Sequence, residues 1–374
     1  MSVVSVEFQS IVRTYGSKRA LDGLDLQVEP QSFTVICGPP ASGKSVLFRL
    51  LVGLEKPDAG RILLSGRDIT TTPPADRPIG YVPQSFALYP HQTVAENMAY
   101  PLTLAKAPKD EIARRVDRTA GILAITHLLK KTPDQLSGGE KQRVAVARGL
   151  LKNAEIFVLD DPLVGLDYKL RERLMDELKS LREELKATFL YATSDSLEAL
   201  TMAQRLAVLD KGRVVQHDAA IAVYDDPRHV RSLDLIGFPH ANLVPGTVKG
   251  GQLQAGPIAA TGFSGIRDGD IVAGLRPEAV RLGFADDVPA GDVPANRARL
   301  DIPAEVTLVE NLGGEAVVYL VAGGHNLTAT LPLSGAVPPD LGAMLRLSVD
   351  PADILVFDRQ TGARLDGRDT QGPV

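Results

Sequence analysis

Gly38-Pro39-Pro40-Ala41-Ser42-Gly43-Lys44-Ser45 has the spacing G-x-x-x-x-G-K-[ST]. In that pattern backbone amides, one ammonium group and one hydroxyl converge on phosphate oxygens. The glycines let N–H groups approach the phosphates, and the helix that follows turns its positive dipole end toward them. Lys44 is expected at the β- and γ-phosphates of a nucleotide, and Ser45 at a Mg²⁺ ion. A second charged centre lies at Asp160-Asp161, where the apolar run Ile156-Phe157-Val158-Leu159 stops. A carboxylate at the end of a central strand beside such a loop can hold Mg²⁺ directly or through water, which assigns Asp160 to the metal with Ser45. The third feature is Leu136-Ser137-Gly138-Gly139-Glu140. Ser-x-x-Glu before a helical run is a capping box, but a cap does not require two glycines.

These residues need a frame of strands and helices. Phe33 to Cys37 leads into the loop and the apolar pattern Val46 to Leu51 leads out. Phe33 to Cys37, Ile156 to Leu159, Thr188 to Ala192 and Leu206 to Leu209 are short apolar runs of the kind buried on both faces of a sheet. Leu170, Leu174, Leu178, Leu181 and Leu185 recur at helical spacing with charged residues between them. Strand, helix, strand in repetition predicts an α/β fold with a mainly parallel sheet. Residues 87–153 interrupt the alternation and are rich in helix formers, as in Lys109 to Val116, which predicts a helical insertion.

Composition shifts after Gly237-Phe238-Pro239. Asp270 to Ala273, Glu305 to Val309, Ala316 to Val321, Met344 to Val349 and Ile354 to Phe357 are short β-like runs, and their spacing predicts a small barrel or sandwich. The expected division is therefore residues 1–235, then an all-β domain over 236–358, then a polar, flexible tail over 359–374. Residues 286–294 read as a loop.

A chain of 374 residues fits two or three domains at roughly 150 residues each. The net charge of −5 gives no electrostatic case for nucleic acid or anionic lipid. Cys37 is the one cysteine, which excludes an internal disulfide and suits a reducing compartment. Its setting in Thr34-Val35-Ile36-Cys37 reads as a buried small side chain. The first residues lack the basic start and apolar stretch of a signal peptide, and no segment reaches the roughly 18 apolar residues of a spanning helix. A cytoplasmic protein is expected, with any membrane role supplied by a partner.

Phosphate loop, Leu136-Ser137-Gly138-Gly139-Glu140 and Asp160, in that order, resemble the ATPase subunit of an ABC transporter. The resemblance implies a P-loop ATPase domain with a helical subdomain. It also implies ATP and Mg²⁺ as ligands. Tyr15, in Arg13-Thr14-Tyr15-Gly16, matches the family's adenine-stacking aromatic. Gly38, Pro39, Ala41, Ser42, Gly43, Lys44 and Ser45 match its phosphate loop, and Gln84 matches the glutamine that senses Mg²⁺ and the attacking water. Lys141-Gln142-Arg143 continues the signature, which in this family faces the ATP of the opposite subunit. There Ser137 and the amides of Gly138 and Gly139 are implied to cradle the γ-phosphate. Leu163 to Asp167 matches the loop that crosses between subunits, with Asp167 as its acidic member.

Phe86 to Asn97 resembles the membrane-facing segment of carbohydrate-importer ATPases, with His91 an interface residue. Gly274-Leu275-Arg276-Pro277-Glu278 and Val309 to Glu315 resemble the OB-like regulatory domain of importers of the maltose and glycerol-phosphate type. The implied partners are two integral-membrane permease subunits and, indirectly, an external binding protein. The implied place is the cytoplasmic face of the cell membrane, and no nucleic acid is implied.

Two positions depart from the family pattern. The glutamate that polarises the attacking water is replaced by Asp161, one methylene shorter, which withdraws the carboxylate by about 1.5 Å. A general base must lie within roughly 2.6–3.2 Å of its proton. The switch histidine is replaced by Ser194, in Tyr191-Ala192-Thr193-Ser194-Asp195, which can donate one hydrogen bond but carries no charge near neutral pH. The expectation is a site that binds ATP and hydrolyses it poorly, paired with a second, unaltered ATPase. A slow homodimer and a non-catalytic regulatory subunit remain open as alternatives.

Overall fold

The computed structural model describes residues 5–284, 303–333 and 337–365. The chain divides into two compact units, Met1–Ile221 and Ala222–Val374. The division precedes the compositional shift at 236, because two short helices, Ala220–Asp225 and Val230–Leu235, intervene before the β-rich stretch begins.

In the first unit the elements run β1 (Val6–Tyr15), β2 (Lys18–Val28), β3 (Phe33–Cys37), α1 (Lys44–Leu51), β4 (Ala59–Leu64), β5 (Arg67–Asp68) and β6 (Ile79–Val82). There follow α2 (Val94–Leu104), α3 (Lys109–Ile122), α4 (Gly138–Leu150), β7 (Ile156–Asp160), α5 (Tyr168–Leu185), β8 (Thr188–Thr193), α6 (Ser196–Met202), β9 (Arg205–Asp210) and β10 (Arg213–Ala219). A six-stranded sheet has the order β10-β9-β3-β8-β7-β6. Its strands from β9 to β6 pair in parallel, and β10 closes one edge antiparallel to β9. Every residue of β3, β7 and β8 is buried, as their unbroken apolar runs require of strands covered on both faces. Phe33 stacks on Phe189 with centroids 5.5 Å apart, and Phe157 lies 5.2 Å from Phe189, so aromatic contacts run from strand to strand.

A second, four-stranded antiparallel sheet, β2-β1-β4-β5, was not anticipated. Its strands mix polar and apolar residues over ten and eleven positions, and bulges break their register, which obscures the period of two. Helices α2, α3 and α4 make up the insertion expected over 87–153. The leucine stripe lies on α5, where Leu174 and Leu178 are buried.

In the second unit, β11 (Asn242–Lys249), β12 (Gln252–Ala255), β13 (Ile258–Thr261), β14 (Gly269–Leu275), β15 (Arg281–Phe284), β16 (Pro303–Asn311), β17 (Glu315–Ala322), β18 (His325–Pro332), β19 (Met344–Ser348) and β20 (Leu355–Asp358) form two five-stranded antiparallel sheets. One apolar core, including Val244, Ile271, Val318 and Val356, joins them. The tail expected to be free from Arg359 is held as far as Leu365: Ala363 pairs with His229, Arg364 pairs with Phe357, and Val230 N donates to Gly362 O at 2.8 Å. The loop expected at 286–294 and the last nine residues, 366–374, lie outside the described residues.

Candidate functional site

The parallel register brings three strand ends together. Cys37 pairs with Thr193 on one side and Val208 on the other, while Asp160 pairs with Ala192. The segments that leave β3, β7 and β8 therefore emerge side by side at the carboxyl edge of the sheet, where open α/β sheets bind ligands. They carry the phosphate loop, Asp161 and Ser194.

The phosphate loop wraps the start of α1. Gly38 N donates to Thr193 O at 3.3 Å, and Gly212 N donates to Ser42 O at 2.9 Å, so β8 and the β9–β10 turn hold it from outside. Gly43 has φ +115°, and a Cβ there would stand 2.7 Å from Ala20 O, so this position admits no side chain without a shift. No side chain caps α1 and no acidic residue lies in its first turn. By contrast, Thr93, Ser137, Asp167 and Asp195 cap α2, α4, α5 and α6 with their side chains. The first amides of α1 thus keep their donor capacity for an anion.

Lys44 is buried, and its Nζ donates to Gly38 O at 2.6 Å and Pro39 O at 3.2 Å. Burial lowers its pKa, and Asp161 opposes that most strongly. Ser45 Oγ donates to Asp160 Oδ1 at 3.0 Å, and Tyr81 OH lies 3.5 Å from Asp160 Oδ2. Burial raises the pKa of both Asp160 and Asp161, and Asp161 adds to the shift at Asp160. A buried carboxylate beside a half-buried one, both with raised pKa values, is a natural place for a cation.

An open cavity of about 450 Å³ is lined among others by Tyr15, Ala41, Ser42, Gly43, Lys44, Ser45, Gln84, Asp161 and Ser194, while Asp160 stands behind Ser45 and outside the lining. The buried Ser42 Oγ has no hydrogen-bond partner among the described residues. An orphan hydroxyl, uncapped amides, a lysine and a paired Ser45 and Asp160 fit a polyphosphate with its divalent cation. Gly38 and Pro39 lie behind the lining and contribute carbonyls to Lys44. Asp161 adopts φ +50° and its N–H donates to Ala192 O at 3.0 Å, which directs the chain away from the sheet just after Asp160.

Sequence reasoning did not find Lys18, Ala20, Val46 and Val164, which also line the cavity. Lys18 and Ala20 follow Tyr15 across the tight turn into β2, and only knowledge of that hairpin would have placed them. Glu198 was also missed. It is buried behind the site on α6, with Oε1 unpartnered among the described residues, and burial pushes its pKa up to about 7. Its place in an amphipathic helix gave no signal.

The signature and Asp167 are not part of this cavity. Ser137 is exposed and forms a full capping box: its N donates to Glu140 Oε2 at 2.8 Å, and its Oγ accepts from Glu140 N at 3.4 Å. Gly138 is exposed beside it. Asp167 is exposed and caps α5 by accepting from Leu170 N at 3.0 Å. In the segment Phe86 to Asn97, His91 is exposed and Asn97 is fully buried. Asn97 Nδ2 donates to the carbonyls of Tyr89, Gln92 and Thr93, each at 3.1 Å, so it shapes the loop from within and leaves the presented surface to other residues. In the second unit Arg276 donates to Ile236 O at 2.9 Å and Tyr224 O at 2.5 Å, with its guanidinium 3.7 Å from the Tyr224 ring. Tyr224 OH in turn donates to Glu278 at 2.7 Å. The segment Gly274 to Glu278 is therefore a structural clasp.

Residues 21–164 match the family model described as ABC transporter, and residues 273–357 match the TOBE domain model. The chain is 36% identical to the sn-glycerol-3-phosphate import ATP-binding protein UgpC of Ruegeria pomeroyi, over 97% of this chain and 99% of that protein. It is 36% identical to the diacetylchitobiose uptake system ATP-binding protein MsiK of Streptomyces coelicolor, over 97% of this chain and 100% of that protein. Among solved structures, a dimeric ATP-binding cassette in a post-hydrolysis state, bound to ADP and Pi, is similar with a TM-score of 0.54 at 30% identity. That match covers 57% of this chain and 98% of that one.

Proposed function

The chain belongs to the ATP-binding subunits of ABC transporters, and from that premise we propose that it is the hydrolysis-impaired half of an asymmetric ATPase pair in an importer of a carbohydrate or polyol. It is an ABC-type transport ATPase, and its relatives are named for the import of sn-glycerol-3-phosphate and of diacetylchitobiose. The observation that carries the reading is that Asp161 and Ser194, the two departures from the family pattern, line one cavity with Lys44 and Gln84.

In this reading Tyr15 stacks on adenine, and Lys44, Ser42 and the first amides of α1 hold the phosphates. Ser45 and Asp160 hold Mg²⁺, with Gln84 beside them. The ion that Ser45 and Asp160 would hold would offset the negative charge of the phosphates. Asp161 faces the cavity as an ionisable carboxylate but reaches about 1.5 Å less far than glutamate. Misplacement of a catalytic group by about 1 Å can lower a rate on the order of a hundredfold. Ser194 offers one neutral hydrogen bond where the pattern has an imidazole. The exposed signature around Ser137 stays intact and serves the ATP held by a partner subunit, as does Asp167 at the subunit crossing.

The other partners in this reading are two integral-membrane permease subunits, engaged through the segment between Gln84 and Asn97, and through them an external binding protein. No helix among the described residues is long and apolar enough to cross a membrane. The permease subunits do so, and this chain sits at their cytoplasmic face. The test is affinity purification of this chain from its native membranes with mass measurement of the intact complex. One copy of this chain with one different ATPase is expected. Two copies of this chain and no other ATPase would overturn the asymmetric pair.

A further inference from the structure

The one aromatic ring among the described residues that lines the cavity is fixed by a charged cluster. Tyr15 OH donates to Glu55 Oε2, and Arg13 Nε donates to the same oxygen at 3.2 Å. Arg49 Nε donates to the other oxygen, Glu55 Oε1, at 2.6 Å. Arg13 is held in turn by Asp58, which accepts from its Nη1 at 2.9 Å and from Thr14 N at 2.7 Å. The Arg13 guanidinium carbon stands 4.7 Å from the centre of the Tyr15 ring, covering one of its faces. Tyr15 is still 40% exposed and lines the cavity.

We propose that Glu55 is a positioning residue for nucleotide binding: it locks the Tyr15 ring so that a purine base stacks on the one face Arg13 leaves open. The proposal rests on reading the cavity as an ATP site. Its second element is the link to the phosphate end. Arg49 lies in the last turn of α1, the helix whose first turn carries Lys44 and Ser45. Glu55 therefore ties the base platform to the same rigid helix that holds the phosphates, which sets the spacing between the two ends of the ligand. A stacking platform costs less entropy to engage when its orientation is fixed beforehand. An ungrafted tyrosine on a strand end would sweep through several rotamers, whereas the charged acceptor and the guanidinium leave it one.

The test uses the full chain and two probes, Mg·ATP and Mg·tripolyphosphate, which lacks base and sugar. Tyr15→Phe removes only the hydroxyl anchor and keeps the stacking surface, and Glu55→Gln removes the charged acceptor. Loss of one such bond is expected to weaken ATP binding about fivefold in either variant. Binding of tripolyphosphate is expected to be unchanged in both. The double variant Tyr15→Phe, Glu55→Gln is expected to bind ATP no more weakly than either single one, because both remove the same anchor. If Glu55→Gln fails to fold, Tyr15→Phe alone decides. Wild-type ATP affinity in Tyr15→Phe, with a large loss in Tyr15→Ala, would overturn the anchoring role while leaving the ATP site standing. Unchanged ATP binding in both Tyr15→Ala and Lys44→Ala would overturn the reading of the cavity and this proposal with it.

Discussion

Ser45 Oγ and Asp160 Oδ1 lie 3.0 Å apart, and this contact joins the first turn of α1 to the end of β7. The two residues are far apart in the chain but meet because β3 and β7 both flank β8 in the parallel sheet. A hydroxyl and a carboxylate are thus aligned by the fold. Asp160 is buried and next to Asp161, so its charge is poorly solvated by the protein alone.

Asp160→Asn keeps an acceptor for Ser45 and removes one of two crowded charges. The expected outcome is an apo protein of equal or slightly higher melting temperature. Its affinity for Mg·ATP is expected to fall tenfold or more, as for the loss of a charged partner. Thermal shift with and without Mg·ATP checks both halves. An unchanged Mg·ATP shift would remove Asp160 from the metal site.

Asp161→Glu with Ser194→His restores the two side chains the family pattern has. Both positions line the cavity, so new side chains there would border it. Turnover at this chain's own site is expected to rise on the order of a hundredfold, the scale of a one-ångström repositioning. Asp161→Glu alone is expected to give part of that gain. Single-turnover hydrolysis in a purified complex measures it. No gain in the double variant would mean that these positions do not limit the native chain.

The phosphate loop, β3, β7, β8 and α5 were legible because their signals are local: a fixed spacing, unbroken apolar runs, and a leucine stripe. Lys18 and Ala20 were not, since they reach the cavity only through the β1–β2 hairpin, whose strands alternate irregularly around bulges. The capping role of Ser137 was legible from Ser-x-x-Glu. The full burial of Asn97 was not legible, because sequence neighbours give no sign that tertiary contacts enclose a polar side chain. Glu198 was invisible for the same reason.

Glu198 gives a pH dependence of known sign. Burial is the main cause of its raised pKa. Arg171 partly offsets it, and the Asp161 charge adds to it. Its pKa moves from 4.5 unfolded to about 7 folded. Between those values the native state binds more protons than the unfolded state, so stability falls as pH rises from about 4.5 to 7. The full loss is at most about 3 kcal/mol. Urea midpoints of the apo protein at several pH values in that window should decline, and Glu198→Gln should flatten the decline. An equally steep decline in the variant would assign the effect to another group.

Arg77 offers a test of what holds α1 in place behind the site. It is 2% exposed, and its Nη1 donates to Leu50 O at 2.8 Å and Leu51 O at 2.5 Å, while Nε donates to Thr72 O at 2.9 Å. A cation at the end of a helix meets carbonyls that have no partner within it and the negative end of the dipole. Arg77→Met fills similar space but removes the side-chain donor from these carbonyls, leaving Leu50 O its bond from Gly53 N at 3.1 Å, and is expected to destabilise the first unit by about 3 kcal/mol. Arg77→Lys is expected to recover only part of that, because one ammonium cannot reproduce a planar fork serving four carbonyls, with Nη2 also donating to Thr70 O at 3.4 Å. Urea unfolding at fixed pH measures both variants. Full recovery by lysine would mean that charge alone, and not the geometry of the guanidinium, secures the helix that carries Lys44 and Ser45.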